Sequence, residues 1–105
     1  MAQARHPGSD VSTFVALLSV EVFLPDAQSL KDKRMSVRRV KDRLKALGVA
    51  AAEVGHLDVW QRAALGVVAI GNRRAHVDEV LASALTLIEE HVDGYVTAVQ
   101  TEHLI

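Results

Sequence analysis

Cysteine is missing from all 105 residues. Its absence excludes disulfides, thiolate metal sites and thiol nucleophiles, so any core must hold by packing alone. Aromatic residues are scarce, with one Trp, one Tyr and two Phe, and the apolar stretch AALGVVAIG carries none where an RRM would stack bases. A GXXG loop of the KH type is absent too. No apolar run approaches the ~18 residues that mark a membrane-spanning helix. The start, MAQARHPGSDVS, lacks the apolar centre of a secretion signal. A cytoplasmic address without a membrane segment is the expectation.

What is present fits one small domain. Half of the residues are apolar, enough for a modest core at this length. Residues 1–12, small and polar around Pro7-Gly8, read as a mobile tail, and residues 13–105 as a single domain without internal repeats. Net charge is −1, yet residues 29–47 hold eight of the twelve Lys and Arg against only Asp32 and Asp42. One basic element sits on an acidic body.

The apolar pattern gives the element order. Phe14, Ala16, Leu18, Val20, Val22 and Leu24 alternate with positions that include Ser19 and Glu21, the mark of a strand with one core face. Pro25-Asp26 ends it. Ser29 is placed to cap a helix, with Asp32 near the positive end of its dipole. Leu30, Val37, Val40, Leu44 and Leu47 share one face of that helix, and Gly48 stops it. Two strands follow, residues 49–54 and 63–70, joined by GHLDVWQR. Asn72 is the expected cap of a second helix, whose Val77, Val80, Leu81, Ala84, Leu85 and Ile88 recur with helical period. Asp93-Gly94 then turns the chain into a last strand, residues 95–105.

The order β-α-β-β-α-β is the split βαβ arrangement of ferredoxin-like α+β domains. Right-handed crossovers give an antiparallel sheet in the order 4-1-3-2 with both helices on one face. The hairpin GHLDVWQR then lies beside SLKDKR, and Arg73 and Arg74 fall at the opposite end, near Lys45.

Three blocks, SLKDKR after a strand ending in LP, AEVGHLDVWQRAALGV across the hairpin and RRAHVDEVL opening the second helix, agree in order and spacing with one family. Over residues 14–102 the chain resembles the YlxP-like bacterial proteins, a domain-of-unknown-function family. The resemblance implies a ferredoxin-like fold and, through genes that often neighbour those for ribosome maturation and translation initiation, a connection with translation or RNA. The family has no agreed functional residues to carry over. This chain departs from it in an N-terminal extension and in Ala50-Ala51-Ala52.

At about 100° per residue, Lys31, Arg34, Arg38, Lys41 and Lys45 form one row along the helix. Like charges at i and i+4, Arg34 with Arg38 and Lys41 with Lys45, cost an isolated helix about 0.2–0.5 kcal/mol per pair. Either RNA phosphates offset this, or Glu89 and Glu90 of the second helix do. Arg62, Arg73 and Arg74 are further anion-binding candidates; the two at the helix start oppose its dipole, which an anion would relieve. Lys33, also an anion-binding candidate, falls in the apolar seam. It either snorkels outward or places its ammonium in a pocket with the hairpin.

In the hairpin, His56, Asp58, Trp60 and Gln61 are candidates for contact with a partner. Trp60 either stacks on a base or caps the core. His56 and Asp58 form no general-base arrangement with a nucleophile of known spacing, and His76, His91 and His103 lie at no metal-ligand spacing. No catalytic residue, cofactor or metal is therefore expected. Val15, Leu17, Phe23 and Val67 are candidates for an apolar outer sheet face through which copies associate. The expectation is a non-enzymatic module that binds RNA or a ribosomal particle through its basic helix. The alternative is a protein-interaction or ligand-sensing domain that forms homo-oligomers.

Overall fold

The computed structural model describes Gly8 and residues 11–105. The expected mobile tail, residues 1–12, lies outside the described residues except for Gly8, Val11 and Ser12. The elements are β1 (Phe14–Phe23), α1 (Leu30–Leu44) with a 3-10 turn (Lys45–Leu47), β2 (Ala50–Gly55), β3 (Arg62–Gly71), α2 (Arg74–His91) and β4 (Tyr95–His103). They form one antiparallel sheet in the order β2-β3-β1-β4, with both helices on one face. This is the ferredoxin-like α+β arrangement that the element order implies.

The alternation in β1 becomes packing directly. Ala16, Leu18, Val20 and Val22 are all but closed to solvent, and they meet Val37, Val40 and Leu44 of α1 and Val77, Leu81, Ala84 and Ile88 of α2 in a single core. Burying each larger side chain contributes about 1.5–3 kcal/mol before entropy is counted. Ser29 caps α1 as its side chain predicts, its Oγ accepting the Asp32 N–H at 3.0 Å. Gly48 takes the left-handed conformation, φ 74°, after the 3-10 turn, where a Cβ would be disfavoured.

Two expectations need correction. Val67 does not lie on the outer face: it pairs with Leu18 and is fully buried beneath the helices. A strand apolar on both sides does not disclose its own register, and the partner strand decides it. Val68, opposite Leu17, faces outward instead. Asn72 does not cap α2 either. The cap position belongs to Arg73, in extended backbone, and its side chain makes no cap hydrogen bond.

Candidate functional site

Helix α1 has two flanks of different character. On one, Ser36 Oγ accepts the Asp93 N–H at 3.4 Å, and Arg39 Nη1 donates to both Asp93 oxygens at 3.0 and 3.3 Å. This flank therefore faces the α2–β4 turn. Lys31, Arg34, Arg38, Lys41 and Lys45 lie about 140–220° round the helix from Ser36, on the side away from α2. Glu89 and Glu90 make no ion pair with them. Among the described residues Lys31, Arg34, Arg38 and Lys41 have no acidic side chain within 4.0 Å, and Lys45 reaches only its neighbour Asp42, at 3.5 Å with both side chains largely exposed. Such a pair contributes little. The glutamates of the neighbouring helix thus do not balance the row.

Lys33 is not part of that surface. It is fully buried, so the snorkelling reading is replaced by the pocket reading, and its charge is withdrawn from any external phosphate. Its Nζ donates to the carbonyls of His56 at 2.7 Å, Leu57 at 3.2 Å and Arg62 at 3.4 Å. Glu53 Oε2 stands 2.8 Å away, on β2, with its side chain 16% exposed. Apart from that ion pair the oxygen has no polar partner among the described residues. Burial of an ammonium is costly unless it is both paired and hydrogen-bonded, and here it is both. The ammonium thereby clamps the start of α1 to the hairpin.

A second contact pins the hairpin from the other side of the sheet. His56 Nε2 lies 3.0 Å from Glu21 Oε1. His56 has φ 57°, the left-handed conformation and the one non-glycine case among the described residues. Its carbonyl explains the position, since it accepts both from Lys33 and from the Val59 N–H at 3.0 Å, one for each lone pair. Gln61 is structural as well: its amide donates to the Pro25 carbonyl at 2.9 Å and to the Ala27 carbonyl at 3.5 Å, and its own carbonyl accepts the Leu24 N–H at 2.8 Å. The partners Glu21 and Glu53 are not among the candidates that the sequence offers. Glu53 carried a signal, as the one charge in a short apolar strand.

Between these anchors the hairpin presents Leu57, Asp58, Val59 and Trp60 to solvent. Trp60 is 52% exposed and stands outside the core cluster, so it does not cap the core. Arg62 sits exposed where β3 starts, opposite Phe23, and Arg73 and Arg74 are exposed at the far end of the molecule, without an ion pair among the described residues. The structure thus joins the start of the basic row to the hairpin and leaves Arg73 and Arg74 apart. On the outer sheet face Val15 and Leu17 are half-buried and Phe23 is exposed, alongside Val54, Ile70 and Tyr95.

His103 bonds Asp78 at 2.6 Å. Among the described residues no group of three or more His, Asp or Glu is placed to hold a metal ion, and no helix is long and apolar enough to cross a membrane.

These features define a small ferredoxin-like α+β domain with an exposed cationic row, four of whose five members have no acidic partner among the described residues, and a clamped hairpin. Residues 15–101 match the family described as Protein of unknown function (DUF503), and the chain belongs to it. The uncharacterised protein YlxP of Bacillus subtilis (strain 168) is 29% identical over 89 residues, covering 84% of this chain and 97% of that protein. The resemblance to YlxP-like proteins read from the three sequence blocks is thereby borne out. The family has no catalytic assignment. Among solved structures, the de novo designed protein Ferredog-Diesel is similar at 13% identity, with a TM-score of 0.49 and coverage of 97% of this chain and 95% of that one.

Proposed function

We propose that this chain is a non-enzymatic cytoplasmic module that binds the phosphate backbone of RNA, in a ribosomal or translational setting, through the outer flank of α1. The observation that carries this reading is the row of Lys31, Arg34, Arg38 and Lys41, none of which has an acidic partner among the described residues. A rigid helix holding cations at spacings of three and four positions a phosphate chain without reading its bases. The hairpin adds one stacking surface at the end of the row, the exposed Trp60. Replacing Arg34, Arg38 and Lys41 together by Glu tests the reading: the variant folds and no longer co-sediments with ribosomal particles. Undiminished co-sedimentation would overturn it.

A second reading rests on a separate observation. Phe23, Val54, Ile70 and Tyr95 leave the outer sheet face with exposed apolar side chains, 66% exposed for Ile70 and Tyr95. Such a face favours association of copies. Under this reading Ile70→Lys lowers the oligomeric mass in sedimentation, whereas a monomer at every concentration contradicts it.

A further inference from the structure

The inner flank of α1, opposite the cationic row, borders a cleft of about 350 Å³ between the β1–α1 loop, α1 and the α2–β4 turn. That volume lies near the lower end of ligand-pocket sizes, roughly 300–1,000 Å³, and suits one long side chain. Three carboxylates line it, from Asp26, Asp32 and Asp93. Arg39 neutralises Asp93. Asp32 spends one oxygen on the Gln28 N–H, at 3.0 Å, and the Asp26 carboxylate has no hydrogen bond or ion pair among the described residues. Lys33 offers only its stem here, because its ammonium is turned to the hairpin and Glu53. The lining therefore carries an excess of negative charge.

A further group points to the occupant. Ser36 lines the cleft and is 4% exposed. Its oxygen accepts the Asp93 N–H at 3.4 Å, while its hydroxyl proton has no acceptor among the described residues. A buried donor without a partner is unfavourable. The ligand that answers the lining must bring a cation for Asp26, a carbonyl for Ser36 and an aliphatic stem for Met35 at the rim. A protonated polyamine has donors only and leaves Ser36 unanswered. We infer that the cleft is a docking pocket for an arginine or lysine side chain presented, with its backbone carbonyl, by a partner polypeptide. This site is independent of the RNA reading, since the two occupy opposite flanks of one helix.

The test is NMR titration of the full chain with an acetylated, amidated Ala-Arg-Ala tripeptide, the same peptide with norleucine in place of arginine, and spermidine. The arginyl peptide is expected to shift the amide signals of Ala27, Ser36 and Asp93 saturably, and the norleucine peptide is expected to leave them in place. Asp26→Asn, on an exposed side chain, should weaken the arginyl peptide about tenfold, as loss of one charge-assisted hydrogen bond does. Ser36→Ala should weaken it as well. Absence of a saturable shift at those amides, unchanged affinity in Asp26→Asn, or spermidine binding as tightly as the peptide would overturn the proposal.

Discussion

Lys33 and Glu53 resolve each other's anomaly: a lysine in the apolar seam of α1 and a glutamate in an apolar strand meet at 2.8 Å, with the lysine fully buried. Breaking such a pair by removing one member costs more than replacing both, because the remaining charge stays desolvated. Lys33→Met should therefore lower stability by about 3–5 kcal/mol. Lys33→Met combined with Glu53→Leu should recover part of that loss. Urea denaturation of the two variants decides it, and a double variant less stable than the single one contradicts this account of the clamp.

The backbone at His56 makes a second, finer expectation. At φ 57° a β-branched residue is strongly disfavoured, whereas Asn is tolerated. Both replacements lose the ring that meets Glu21, so their difference isolates the backbone. His56→Val should be less stable than His56→Asn by about 1–2 kcal/mol. Equal denaturation midpoints would mean that the hairpin does not hold this conformation in solution.

Gly94 is required by close approach. A Cβ there would collide with the Phe23 carbonyl oxygen, a main-chain atom that cannot rotate away, whereas a Cβ at Gly66 would meet Val54 Cγ1 at 3.4 Å. Gly94→Ala should cost about 1–3 kcal/mol or more through forced backbone movement. Gly66→Ala should stay within about 1 kcal/mol of the parent. Thermal melts of the pair check the ordering.

Much of the fold was legible because local signals agreed with one another. The alternation through β1, the Ser29 cap and the Gly48 stop all reappear in the structure as a buried face, a 3.0 Å cap bond and a left-handed glycine. The face that Val67 takes is not legible because β3 is apolar at successive positions, and only its pairing with Leu18 orients it. The basic row was legible from helical period alone. Its freedom from Glu89 and Glu90 was not, since that depends on which flank of α1 turns toward the α2–β4 turn, and the Ser36 and Arg39 contacts with Asp93 settle it. The destination of the Lys33 ammonium required the loop backbone: the carbonyls of His56, Leu57 and Arg62 leave no trace in side-chain pattern.

The salt dependence of RNA binding tests the central claim most directly. Each phosphate neutralised on a single strand contributes about 0.7 to the slope of log affinity against log salt. If Arg34, Arg38 and Lys41 each meet a phosphate, replacing all three by Ala should weaken binding at low salt and flatten that slope by about 2, with an unchanged circular dichroism spectrum. The same affinity and the same slope in the folded triple variant would contradict the account.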